Sequence, residues 1–400
     1  MNNTPWTLFR KKPYTVFAVF ALFQVVFFLF FGSHAVFGDD LEENYESVRA
    51  KVVRLLGDSS EITEYSGGEL ENESQVIEVR LLEGSHKGEV LQTDYSLNMG
   101  FSSKIIAPVL KVGDEVWVYV ESAEDGSIAS LVVYEVVRDK YLLYLVVGFV
   151  VLLLAVGRFK GLKAVITLGL TCLAVVKVLL PLILNGFDPI LVSVTICMGI
   201  TVITLIIVSG FNKKTYAAII GAAGGVLTAG FLAYLVGNIA KLTGLGDDES
   251  QMLLYIPQNI DFNYKGLLFA GIIIGTLGAS MDMGMSIASA MHEVREANPK
   301  IKRGALIKAG MNIGRDVMST MTNTLILAYA GGSLQMLLLY MAYDIPFLDI
   351  INRDVIASEV VRALAGSIGI IFTIPITALA TGFLSEDKKP SEGNRLDFRY

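Results

Sequence analysis

Asp282 and Asp316 are the residues whose type and setting most readily support chemistry, because each lies in sequence otherwise rich in apolar, glycine and hydroxyl residues. Gly271, Gly275, Gly278, Asp282, Ser286 and Ser289 recur every three or four residues, a spacing that puts them on one face of a helix. Asn312, Asp316, Thr320, Asn323 and Leu327 form a matching face downstream, with Ser319 and Thr324 beside it and Arg315 just ahead. Small residues let a neighbouring helix approach closely. The expectation is therefore that Asp282 lies in a contact seam between two antiparallel helices, near Asp316. Ionisable groups inside a membrane usually face a bundle interior or a water-filled path, and such a pair can bind and release protons or cations. The competing reading is structural: these residues hold helices together, and Asp282 caps a helix break near 280–284.

Other chemistry finds little support. Cys172 and Cys197 both lie in long apolar runs, and His34, His86 and His292 are far apart, so neither a disulfide framework nor a metal site is expected. Glu61, Glu64, Glu69, Glu71 and Glu73 lack the ligand register of a calcium loop and read as a solvated loop. Gly244-Leu245-Gly246-Asp247 spells the GLGD of intramembrane aspartyl proteases, but Tyr343-Asp344 follows it instead of preceding it and lies at a membrane edge. No GxSxG, HExxH or phosphate-binding loop is present. The expectation is a chain with no catalytic residues, no metal and no cofactor.

The elements that must position these residues are set by hydrophobicity. The chain has 400 residues, 53% hydrophobic and 18% charged, which excludes a nucleic-acid binder, a secreted disulfide scaffold and an ordinary cytosolic enzyme. Runs long enough to cross a bilayer fall near 14–37, 141–157, 163–182, 190–210, 216–240, 266–288, 317–341 and 360–382. With the N-terminus inside, the inner segments and tail hold 18 Lys and Arg, while the short outer loops hold only Lys241, Lys265 and Arg353. The fold class expected is an α-helical polytopic membrane protein of about eight transmembrane helices in a bacterial plasma membrane, with both termini cytoplasmic. The first run reads as an uncleaved anchor; Ser33-His34-Ala35 also fits a signal-peptidase site.

Residues 38–140 differ in kind. They hold 22 acidic and 9 basic residues, a local charge of −13 within an overall −7. Alternating stretches at 47–55, 74–82, 88–92, 115–121 and 130–137 predict a small β-rich extracytoplasmic domain of barrel or OB type between helices one and two. Four segments result: an anchor over 1–37, this domain over 38–140, seven helices over 141–382, and a cytoplasmic tail over 383–400.

Several weaker readings concern packing and partners. Gly221 and Gly225 form a GxxxG pair suited to helix packing, as do Gly271, Gly275 and Gly278. A homo-oligomer is one use of such faces. Glu359 and Arg362 are spaced for an ion pair, Pro375 is placed to kink its helix, and Lys177 to snorkel. Residues 292–312 read either as an amphipathic helix on anionic lipid or as a solvated connector. The expected partners are the lipid bilayer and, through 38–140, envelope proteins.

The stretch from Gly275 through Asp282, Ser286 and Ser289, continued by His292-Glu293-Val294-Arg295-Glu296-Ala297-Asn298-Pro299, resembles the signature of the YibE/F family. Arg315-Asp316 with Ser319, Thr320, Asn323 and Thr324 resembles its continuation. The resemblance covers roughly 141–382 and implies a bacterial multi-pass membrane protein, in a family whose biochemical activity is not established. A fainter similarity joins Asp282, Val294-Arg295-Glu296 and Thr320–Gly332 to SecD/SecF of protein export, whose outside domain is driven by ion flow; this chain has two more helices than one such subunit. Two functions follow as expectations: an ion- or proton-coupled transporter with a path through Asp282, Ser286, Asp316, Thr320 and Asn323, or a scaffold presenting the acidic domain.

Overall fold

The computed structural model describes residues 45–65, 68–97, 107–123, 127–255 and 262–385. The apolar run at 14–37 and most of the tail lie outside them. The chain divides into two compact units, Phe27–Ala155 and, with the first 26 residues, Val156–Tyr400.

The first unit is a β-domain. Its strands are β1 Tyr45–Tyr65, β2 Gly68–Leu81, β3 Val90–Ser96, β4 Glu115–Ser122 and β5 Ile128–Val136, in the spatial order β3-β2-β1-β4-β5 with every neighbour antiparallel. Alternate residues build its core: Val48, Ala50 and Val52, then Ile77, Val79 and Leu81, then Val116, Val118 and Val120. The Thr93 hydroxyl donates to the Leu131 carbonyl at 2.8 Å, drawing β3 towards β5. The result is a partly open five-stranded barrel. Gln75 is buried, and its Oε1 accepts from the Leu110 N–H at 2.7 Å, tying the segment before β4 to β2. Arg49 lies over the Trp117 ring at 5.0 Å and pairs with Asp139 at 2.9 Å.

The acidic stretch 61–73 is not a solvated loop. Its backbone pairs in register from Glu61 opposite Asn72 to Tyr65 opposite Gly68, so it forms the arms of a hairpin. Acidity argues for solvent exposure, but a ladder that satisfies each arm's backbone groups can extend past the core.

The second unit is helical. α1 spans Asp139–Ala174, starting within the first unit, and continues through a π-turn at Val175–Leu179 into α2, Leu180–Leu184. The backbone leaves helical geometry at Arg158 (φ 48, ψ −124), between the apolar runs 141–157 and 163–182. α3 Pro189–Ser209 and α4 Lys213–Ile239 are capped by Asp188 and Asn212, whose side chains accept from the Leu191 and Thr215 N–H groups. A short α5, Asp248–Met252, precedes α6 Tyr264–Ala297, α7 Arg303–Gly332, α8 Leu334–Ala342, α9 Phe347–Ile351 and α10 Asp354–Leu384. Among the described residues five helices are long and apolar enough to cross a membrane, or six with α7 and α8, bent by 57°, taken as one span. Pro375 sits inside one continuous α10.

Residues 292–312 form no separate helix lying on a surface; the connector itself is short and exposed over 298–300. α6 runs on to Ala297 and α7 starts at Arg303, leaving a short link closed by Arg295 Nη1, which donates to the Ile301 carbonyl at 2.8 Å. The apolar residues that suggested lipid contact are covered by protein instead. Leu306 is fully buried, Gly310 lies against Met291, and Ile307 against Gly382.

The tightest packing joins α4 to α10. Gly221 faces Thr377, Gly224 faces Ile376, and Gly225 faces Thr373 and the Gly369 carbonyl. A Cβ on Gly369 would lie 2.7 Å from the Gly225 carbonyl, and one on Gly225 2.8 Å from that of Gly369. The GxxxG pair is therefore occupied within the chain. Gly225→Val should lower thermal stability in detergent by about 3 kcal/mol or more, since backbone atoms cannot step aside. Fluorescence-monitored unfolding of the purified chain checks it.

Candidate functional site

α6 has two unlike faces. Ile272, Ile273, Thr276, Ser280, Met283, Gly284, Ile287 and Met291 are buried, and Thr276 returns its hydroxyl to the Ile272 carbonyl at 2.8 Å. The other face carries Gly271, Gly275, Gly278, Asp282 and Ser286, all exposed, with Ser289 half-buried. No atom lies within 4 Å of a Cβ placed on Gly271 or Gly278, and Gly275 meets only the Tyr329 ring and hydroxyl. Asp282 makes no hydrogen bond or ion pair among the described residues.

Two neighbours flank this strip. On one side Ile274 and Met281 of α6 join the cluster around Cys197 and Ile200 of α3, and Ser209 donates to Met285 Sδ at 3.5 Å. On the other side Ala279 borders the same core cluster as Met318, Met321 and Leu325 of α7. The glycines thus line an open groove flanked by α3 and α7, with Asp282 beyond them towards the C-terminal end of α6.

This corrects the expectation of a closed seam between α6 and α7. α6 spends its larger side chains on α4 and α10, and a glycine strip has little surface to bury. Closing it would also strip water from a carboxylate with no counter-charge, which is costly. Gly271, Gly275 and Gly278 therefore contribute less to packing than their spacing suggested.

The α7 residues look elsewhere. Leu306, Gly310, Gly314, Met321 and Leu325 turn towards α6 and α10, whereas Asn312, Asp316, Ser319, Thr320, Asn323 and Thr324 are exposed on the outward side. Thr320 and Thr324 donate to the Val317 and Thr320 carbonyls at 2.8 Å, so their hydroxyls are satisfied within the helix. No hydrogen bond or ion pair links Asp282 or Ser286 to Asp316, Thr320 or Asn323. The five candidates do not meet at one point.

Sequence reasoning missed a separate polar pocket, where the loop before α5 meets the start of α10. Gly244, Gly246, Asp247, Ser250, Ser358, Glu359 and Arg362 line it. Glu359 and Arg362 pair at 2.8 Å, the one part legible from their spacing. The Ser358 hydroxyl is buried without a hydrogen-bond partner among the described residues. Thr243 binds Asp354 through its N–H at 3.1 Å and its hydroxyl at 2.7 Å, holding the loop to α10. Asp247, the aspartate of the GLGD sequence, caps α5 by accepting from the Ser250 N–H at 2.7 Å.

A sequence profile of YibE/F-like proteins matches residues 145–387, more than half of the chain. The chain belongs to the YibE/F-like family. The match takes in most of α1 and every later helix, together with Asp282, Asp316 and the pocket, and leaves the β-barrel outside it. No curated protein and no solved structure matches the chain. As a YibE/F-like chain with several long apolar helices, it is an integral membrane protein.

The open strip makes a direct prediction. Gly278→Ala should leave thermal stability unchanged or raise it by up to about 1 kcal/mol, because alanine favours helix and meets no neighbour. Gly284→Val should lower it, since even the first carbon lies 3.0 Å from the Ala218 carbonyl. Parallel melting curves in detergent separate the two faces.

Proposed function

We propose that this YibE/F-like protein is an ion- or proton-coupled transporter whose path follows the groove over Asp282, with Ser286 as its polar neighbour. One observation carries the reading: a carboxylate with no counter-charge among the described residues stands on an exposed glycine strip of an apolar helix. A charge in such a place is expensive unless water or a transported ion reaches it. Gly271 and Gly278 leave room for that water or ion along the helix, with the Tyr329 hydroxyl beside Gly275 between them. Protonation neutralises Asp282 while it faces hydrocarbon, and deprotonation follows when the groove is wetted. The role is transport, with no catalytic step and no cofactor.

The topology that goes with this reading is eight crossings of a bacterial plasma membrane, with both termini inside. The distribution of Lys and Arg supports it. The break at Arg158 supports it too, dividing the first long helix into two apolar stretches, each near the roughly 20 residues needed for one crossing. The run at 14–37 supplies the remaining span, and the barrel lies outside the cell.

A second reading, docking of envelope proteins on the barrel, has its own observation. Tyr119 and Tyr134 stack at 4.0 Å on β4 and β5, both exposed, near an exposed Val132. Exposed aromatic pairs are common at binding surfaces. In that case Tyr119→Ala, not changes at Asp282, removes function.

The test is reconstitution of the full chain in liposomes loaded with a pH-sensitive dye. Asp282→Asn should insert and accumulate normally yet lose proton flux by tenfold or more. Full flux in that variant would sink the transport reading.

A further inference from the structure

The outward face of α7 packs against nothing among the described residues, and its spacing is informative. Asn312, Asp316, Ser319, Asn323, Ile326 and Ala330 follow one another at intervals of four, three, four, three and four. Every one of them is exposed. That is the seam of a left-handed helix pair, in which positions repeat every 3.5 residues. The face that α7 does bury carries Leu306, Gly310, Gly314, Met321 and Leu325, so α6 and α10 leave the seam untouched.

Its chemistry is wrong for lipid. The Asn323 amide makes no hydrogen bond among the described residues, and a polar group without a partner in hydrocarbon costs several kcal/mol. Asn312 accepts only a long contact of 3.4 Å from Arg315 Nη1. Asparagine and serine side chains both donate and accept, so each can bond to its own counterpart. Arg315 and Asp316, adjacent and of opposite sign, can do the same in exchange.

We propose that a second copy of this chain docks on the α7 seam, giving a parallel two-fold dimer about an axis normal to the membrane. Copies inserted in the same direction present α7 at the same depth. A two-fold axis then sets Asn323 against its counterpart and Asp316 against its own, with Arg315 of each copy beside the two carboxylates to offset their like charge. Such an interface must be self-complementary, and this face is. Ser319 and Ala330 are small enough for close approach. The other candidate occupant, the chain's own run at 14–37, has Gln24 as the sole hydrogen-bonding side chain between Val16 and Phe31, and so cannot satisfy the seam. The inference does not rest on the transport reading.

Oxidative cross-linking in native membranes tests it, using the full chain with Cys172→Ala and Cys197→Ala as background. Ser319→Cys, Asn323→Cys and Ile326→Cys, each introduced singly, should give disulfide-linked dimers. Met321→Cys and Leu325→Cys, on the buried face, should not. These seam positions are exposed, so the substitutions leave the fold intact, and each variant is checked for normal abundance. A second measurement compares dimer dissociation in bilayers by single-molecule photobleaching. Asn323→Leu should weaken the dimer about three- to thirtyfold, the range for one intramembrane polar contact. Cross-linking without this periodicity, a monomer at all protein-to-lipid ratios, or capture of the seam cysteines by cysteines placed in 14–37 of the same chain would overturn the proposal.

Discussion

The helical unit depends on the approach of α4 to α10 to backbone distance. Hydrocarbon tails are as apolar as leucine, so burying apolar side chains drives helix association little inside a bilayer. Contact must come from dispersion and polar interactions over short distances. Gly221, Gly225 and Gly369 provide it by removing the side chains that would hold the helices apart. Once that pair is set, α6 lies across it through Thr276, Ser280 and Gly284, and α7 joins through Gly310 and Gly314.

That arrangement also settles what remains outside the packing. α6 can turn only one face towards α4 and α10, and the face it turns is the one with the larger side chains. The glycine strip with Asp282 is left open between α3 and α7 as a consequence. α7 packs through its own small residues, so its polar stripe points outward. The two polar surfaces are therefore separate: the open strip that carries Asp282, and the outward stripe of α7.

The β-barrel follows different physics. Its core comes from period-two alternation and apolar burial from water, with Gln75 satisfying the backbone of Leu110. Alternation of that kind is directly visible in sequence, and the five strands fall close to the alternating stretches that predict them. The hairpin arms at 61–73 were illegible because their acidic, glycine-containing sequence carries no apolar alternation. Their order comes from the ladder itself.

For the membrane helices, sequence alone determined the apolar runs, the family, the ion pair Glu359–Arg362 and the fact that α6 and α7 each carry a polar face. Tertiary structure decided which way those faces point. In a soluble protein polarity tells the inside of a helix from the outside, because water rewards the polar face. In a membrane helix the buried and open faces of α6 both carry small residues and hydroxyls: Thr276, Ser280 and Gly284 on one, Gly275, Gly278 and Ser286 on the other. Periodicity finds both faces and ranks neither. Only the fit of Gly284 against the α4 backbone, with the larger side chains beside it, places Asp282 on the open side.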